Sequence, residues 1–217
     1  MLCNEYPTNC IEGIVTSKSM IDQVYPKIYE SCVNISLNYE SERDTYNYYI
    51  QSLLYAWSFV DSFNRIRELL KSFPLLSKKD KELKIFLSKT EKIKYFRNYH
   101  QHLSRENNNP DNFSNPVWGN LSWVNPNNEN ECIIAITNNN SNNRTYYGLT
   151  FDTYENKWMS KSSLNFGDNS IHFDKCYEEL ELYLQKFYSW MASTPDISII
   201  EEFKMTLFRQ GIEKNRS

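Results

Sequence analysis

Glycine is scarce in this chain, with five residues in 217. That scarcity argues against loops that cradle phosphate with successive backbone N–H groups, and neither a Walker nor a dinucleotide-binding fingerprint occurs. The five cysteines (Cys3, Cys10, Cys32, Cys132 and Cys176) are odd in number and scattered. They form no Cys-x-x-Cys pair and no Cys/His cluster with zinc spacing, so free thiols in a reducing cytoplasm are expected. Nothing in the spacing of carboxylates, thiols and imidazoles calls for a metal or a cofactor. No apolar run approaches the roughly 20 residues of a membrane-spanning helix, and no basic region leads into an apolar one at the start, so neither a membrane segment nor a secretory leader is expected. Histidine is the rarest chemically versatile residue: there are three, and two of them, His100 and His102, are neighbours.

Aromatic and apolar residues are plentiful instead. Sixteen tyrosines, twelve phenylalanines and five tryptophans contribute to a 40% hydrophobic chain, which marks it as one that folds. Its length suits one core, so a single domain over 1–217 is expected. The formal charge of −3 conceals an asymmetry: between Lys78 and Arg105 there are nine Lys/Arg against three acids. A basic segment on an acidic body is either an anion-binding face or a solvated helix surface, and charge alone does not separate the two.

Apolar spacing predicts the elements. Residues 17–109 read as helical. A first helix is expected from a cap at Ser17 or Ser19 to about Asn38, with Met20, Val24, Ile28, Cys32 and Ile35 in register and Pro26 kinking or splitting it. Residues 1–16 fit a short strand or an extended lead-in. A second helix from Asp44 or Thr45 to Phe73 carries Tyr49, Leu53, Ala56, Val60, Phe63 and Leu70, with Ile50, Leu54, Trp57 and Ile66 widening its stripe towards more than one neighbour. On it, Asp61 and Arg65 are four apart, spaced either to pair along the helix or to serve the basic segment. A third helix is expected from Lys78 or Lys79 to about Glu106, ended by Asn107-Asn108-Asn109-Pro110. Residues 115–167 change character. Val117–Val124, Cys132–Thr137, Arg144–Asp152 and Trp158–Phe166 read as four strands of an antiparallel meander, with a polar turn over Asn138–Asn143. Residues 168–217 return to helix, with caps at Asp168–Ser170 and a short last helix over Ile199–Gln210. The expected class is α+β, mainly α: a bundle of about four helices with a small sheet inserted before the last long one.

The chemistry concentrates in Lys92-Ile93-Lys94-Tyr95-Phe96-Arg97-Asn98-Tyr99-His100-Gln101-His102-Leu103-Ser104-Arg105. Imidazole exchanges protons near neutral pH, and a guanidinium forks onto phosphate oxygens. Together they can cleave RNA without a metal, because the ribose 2′-hydroxyl is the nucleophile and His and Arg serve proton transfer and charge stabilisation. On an ideal helix Arg97 and His100 lie about 60° apart and Arg97 and His102 about 140° apart. A regular helix therefore converges Arg97 and His102 poorly within one subunit, which a frayed helix end or a two-fold dimer would relieve. The bland alternative is a core His100 and a surface His102.

Arg97-Asn98-Tyr99-His100-Gln101-His102 resembles the motif of the HEPN superfamily: an arginine, a polar residue, and a histidine after four intervening positions. The preceding helix, with Trp57, Asp61 and Arg67, is similar to those of bacterial HEPN-like proteins, and the resemblance covers mainly residues 45–105, with 173–191 as a closing helix. It implies a HEPN-like bundle and a homodimer whose cleft holds two copies of the motif. It further implies metal-independent endoribonuclease activity of the kind found in toxin–antitoxin and phage-defence systems, with RNA as substrate and an antitoxin or other protein as a further partner. By motif position Arg97 would stabilise phosphate, His102 would do acid–base work and Asn98 would orient one of them. His100 has no counterpart in the motif; it is expected with Lys94 and Arg105 on the substrate-binding side. Ser104 stands where relatives paired with a minimal nucleotidyltransferase antitoxin often carry tyrosine, and the β segment with Trp118 and Trp123 is not part of the minimal bundle. The resemblance leaves a second reading, a catalytically silent HEPN-like module that binds RNA or protein.

Overall fold

The computed structural model describes residues 5–77, 79–102, 116–136 and 148–194. Five helices and six strands are found among them, in the order α1 (Glu5–Leu37), α2 (Glu42–Ser72), α3 (Lys81–Lys89), α4 (Glu91–Gln101), β1 (Asn120–Asn125), β2 (Asn128–Ala135), β3 (Phe151–Asp152), β4 (Lys157–Trp158), β5 (Ser162–Phe166), β6 (Asn169–His172) and α5 (Phe173–Ala192). The class is α+β and mainly helical, with a small antiparallel sheet before the final helix. The expected helix over Ile199–Gln210, the polar turn over Asn138–Asn143 and the Asn107–Pro110 terminator lie outside the described residues.

α1 and α2 are the long antiparallel pair on which the rest is packed. α1 begins well before the expected cap: the segment read as an extended lead-in is helical from Glu5. Ile14, Ile21, Ile28 and Ile35 recur every seven residues and are buried, so the stripe continues back past the expected start of the helix. Pro26 neither splits α1 nor ends it. It sits on the exposed face, where the carbonyl that its missing N–H leaves unpaired meets water. α2 starts at Ser41, whose Oγ accepts from the Asp44 N–H, and stops before Pro74. Phe59, Phe63 and Ile66 are fully buried along it, whereas Ile50 and Leu54 are exposed.

The third expected helix is two. Its apolar spacing (Leu83, Phe86, Ile93, Phe96) runs unbroken, but the backbone changes course at Thr90 (φ −106°, ψ 17°). Arg67, buried on α2, donates from a guanidinium N–H to the Leu87 carbonyl at 2.9 Å and to Thr90 Oγ1, and Thr90 Oγ1 in turn donates to the Phe86 carbonyl at 2.7 Å. A foreign side chain has entered the helical ladder, one of the few identifiable causes of a helix break. α4 thus ends as a short separate rod at Gln101, with His102 as its C-cap.

The strands form a four-stranded sheet in the order β2-β1-β5-β6, antiparallel throughout, with β3–β4 as a separate hairpin. Neighbours in sequence pair within β1–β2 and β5–β6, while β1 pairs with β5 across the segment carrying β3–β4. The stretch read as one strand from Trp158 to Phe166 is interrupted at Ser160, whose Oγ donates to the Ser162 carbonyl and accepts from the Asp174 N–H. Asp168–Ser170 is turn and strand, and α5 starts only at Phe173. Leu121, Trp123, Leu164, Phe166 and Ile171 join the helical core, with Trp123 donating its indole N–H to Ser36 Oγ at 2.9 Å.

Candidate functional site

The last turns of α4 carry the motif, and helical periodicity sorts it into three faces. Ile93, Phe96 and Tyr99 are buried and fix the rod against α2 and the sheet. Arg97 and His100 occupy a half-buried flank, and Lys94, Asn98 and His102 are exposed. Arg105 lies outside the described residues. The structure places His100 in one concavity and Arg97 in the next, and leaves Asn98 and His102 on an adjoining open face, with about 40° between them on an ideal helix.

Arg97 meets Asp61 of α2. Its Nε donates to Asp61 Oδ1 at 3.3 Å, while Arg65 donates from Nε to Oδ2 at 3.0 Å. Asp61 thus serves both readings open to it in the sequence, the partner along α2 and the neighbour of the basic segment. Two guanidinium groups share one carboxylate, so the cluster keeps one net positive charge at the protein edge. Most of the other described basic residues of the segment make no ion pair with the described residues. Lys89 pairs with Glu179 at 2.6 Å, whereas Lys92 and Lys94 make no ion pair with the described residues.

His100 stands between two indoles. Its ring centroid is 4.7 Å from that of Trp57 and 5.1 Å from that of Trp118. Trp57 donates its indole N–H to the Trp118 carbonyl at 3.3 Å, which ties the approach to β1 onto α2. The two tryptophans singled out in the β segment therefore part company: Trp123 is core and Trp118 is a wall of the site, 46% exposed. Gly119 makes the division. Its N–H closes a turn on the Pro116 carbonyl, its φ is +75°, and a Cβ there would lie 2.6 Å from the Asn165 carbonyl oxygen. Gly119→Ala is expected to cost more than about 1 kcal/mol and to displace Trp118. Urea unfolding reads the first and tryptophan emission the second; unchanged values in both would remove the turn's positioning role.

Trp57, His100 and Trp118 line an open cavity of about 550 Å³ together with Met20, Ile50 and Leu54, and Ser58, Asp61 and Ser62 supply its polar wall. A second concavity of about 750 Å³ lies beyond Met20, walled by Thr16, Ser17, Asn64, Arg65 and Arg97. No cluster of three or more His, Cys, Asp or Glu suited to a metal occurs among the described residues. Burial pushes the Cys32 thiol up to about 12, so it is no nucleophile near neutrality.

Burial lowers the His100 pKa and Arg97 lowers it further, against an opposing pull from Asp61. His172 is lowered by burial and then by Lys92, with Asp174 opposing; its Nε2 lies 3.3 Å from Thr150 Oγ1. Both rings are held neutral below the usual imidazole range. An unfolded chain takes up those protons near pH 6.5, so it binds more protons than the folded one below that value, and stability falls on acidification. The thermal midpoint should drop between about pH 7.5 and about pH 5.5, above the range where ordinary carboxylates titrate, and the slope should shallow in His172→Asn. A midpoint flat across that window would contradict both assignments.

No model of a known protein family matches this chain, no curated protein matches it, and no solved structure matches it. Sequence reasoning did not single out Met20, Ser58 or Ser62. Met20 read as part of an α1 core stripe but faces the cavity, 45% exposed, because the buried row on α1 runs through Ser17 and Ile21 instead.

Proposed function

We propose that this chain is a metal-independent endoribonuclease of HEPN type that acts in the cytoplasm as a homodimer, as a toxin or phage-defence effector. The observation that carries the reading is the setting of the motif. Arg97 is half-buried and braced by Asp61 at the end of a short, well-packed rod, and Asn98 and His102 stand exposed beside it. The open face suits pairing with a second copy, and a two-fold axis there would bring Arg97 of one copy towards His102 of the other. In the cleavage step the 2′-oxygen attacks the adjacent phosphorus as its proton passes to a base. The P–O5′ bond breaks, the leaving oxygen takes a proton, and a 2′,3′-cyclic phosphate remains. His102 supplies proton transfer and Arg97 meets the charge on the equatorial oxygens. Free thiols at Cys32, Cys132 and Cys176, and the lack of any described helix long and apolar enough to cross a membrane, are consistent with that compartment.

The second reading is a catalytically silent module that binds RNA or a protein such as an antitoxin. It is favoured by the prior engagement of Arg97 with Asp61, which leaves less of its charge for phosphate. The test is cleavage of total RNA and tRNA by the purified protein in chelator, beside Arg97→Ala, His100→Ala and His102→Ala. Cutting that is lost with Arg97 and His102 and survives loss of His100 supports the proposed register. Loss with His100 in place of His102 keeps the enzyme and reassigns the histidine. Folded protein that cuts nothing, yet binds RNA with a steep salt dependence and a graded response to Lys92 and Lys94, favours the silent module.

A further inference from the structure

We propose that the aromatic cavity beside Arg97 is a nucleobase subsite, which takes one unpaired base of single-stranded RNA next to the phosphate that Arg97 meets. The polymer's identity rests on the ribonuclease reading; the base-binding chemistry rests on the cavity. Its volume of about 550 Å³ is within the range of small-ligand sites, roughly 300–1,000 Å³. The wall is the kind that binds a flat ring: Trp57, His100 and Trp118 form one continuous aromatic surface, with the two indoles edge to face at 6.4 Å. Stacking on such a surface tolerates any base, because every base has a π-face.

Three features select a base over an aliphatic chain or a peptide side chain. The polar wall offers a carboxylate acceptor at Asp61 and hydroxyls at Ser58 and Ser62, matched to the amino and imino hydrogens and ring nitrogens of a base edge. Among the described residues Ser62 Oγ meets the Met20 sulfur alone, a weak contact at 3.9 Å. Arg97 lines the adjoining polar concavity with Thr16, Ser17 and Asn64, and its bond to Asp61 links it to the wall of the apolar cavity. An aromatic hollow for the base with a guanidinium in the neighbouring polar one suits a nucleotide, whose ribose joins base to phosphate and spans the two. Because the base must leave its stack to enter, paired RNA is excluded and single strands are selected. Exposed Ile50, Leu54 and Met20 (37%, 62% and 45%) then have a reason to face water in the free protein.

The test is calorimetric titration of the full chain with each nucleoside 5′-monophosphate and with ribose 5-phosphate. The monophosphates are expected to bind about 10-fold or more tightly than ribose 5-phosphate, the margin that one stacked base supplies. Trp118→Ala should erase that margin and leave ribose 5-phosphate affinity unchanged. Leu54→Glu, on an exposed position of α2 where folding is not at stake, should erase it by filling the cavity with a charge. Arg97→Ala should weaken all of these ligands together. Equal affinity for ribose 5-phosphate and the monophosphates, or a margin that survives both cavity variants, overturns the subsite. So does an outcome in which Trp118→Ala and Leu54→Glu dissociate a dimer without any base-dependent binding, since the cavity is then an interface between copies. Base-dependent binding by a chain that cuts no RNA keeps the subsite and discards the ribonuclease reading. RNA cutting with base-independent binding does the reverse.

Discussion

Alanine at Arg97 or at His102 is expected to lower RNA cleavage by about 10²–10³-fold each, the range for loss of one charge-stabilising or proton-transferring group. Neither change should unfold the protein. His102 is exposed at the α4 cap, and Arg97 contributes a 3.3 Å bond to a carboxylate that keeps Arg65. Removing Arg97 also takes the local charge of the Asp61 cluster from one net positive to zero, so phosphate loses its attraction as well as its partner. The double variant should be little worse than the weaker single one, because the two groups act on one step. Subunit mixing gives the sharper test. If each site takes its arginine from one copy and its histidine from the other, Arg97→Ala chains exchanged with His102→Ala chains form heterodimers with one intact site. Such a mixture should recover about a quarter of the parent's rate. A site built within one subunit recovers nothing, and that result would end the composite-cleft reading while leaving the enzyme in place.

The periodic parts of this chain were legible and the cross-chain contacts were not. α2 runs within three residues of its expected bounds because its stripe, its Ser41 cap and Pro74 all lie in local sequence. The break at Thr90 was hidden, since Leu83, Phe86, Ile93 and Phe96 keep helical spacing straight through it. Its cause, Arg67, lies 23 residues away on another helix. The β1–β5 pairing was hidden for a similar reason: two-residue alternation marks a strand and does not name its neighbour. At the site, the spacing of Asp61 and Arg65 announced a pair along α2, while the bond to Arg97 depends on where α4 lies after the break. The exposure of Ile50 and Leu54 is the most informative departure. A stripe too wide for one neighbour implies a second contact, and on this surface the second contact is a cavity.

The largest stability effect outside the aromatic core is expected at Arg67. Its side chain is 3% exposed and has no carboxylate partner among the described residues; burial lowers its pKa. A lone buried charge is costly unless hydrogen bonds and dipoles compensate it. Here they do so in part: α3 ends at Lys89, where its last carbonyls favour a cation and one guanidinium N–H is bonded, while the buried Nε has no partner among the described residues. Arg67→Ala removes the donor to the Leu87 carbonyl and the packing of the stem. The expected cost is about 2–4 kcal/mol, from one unsatisfied buried acceptor and several buried methylenes. For a chain of this size that corresponds to a fall of roughly 5–15 °C in thermal midpoint. Arg67→Met separates the two contributions, because it keeps the stem and removes charge and donors together. If the guanidinium is a net stabilising cap, Met stays well below the parent and Lys lies above Met. If desolvation of the charge outweighs the cap, Met equals or exceeds the parent, as in other cores where a buried ionic group gives way to an apolar one. The junction also sets where α4 points, so the cap has a functional readout. Under the capping account, Arg67→Met at a temperature where it remains folded should lose RNA cleavage without any change to Arg97 or His102, and Arg67→Lys should retain more of it than Met does.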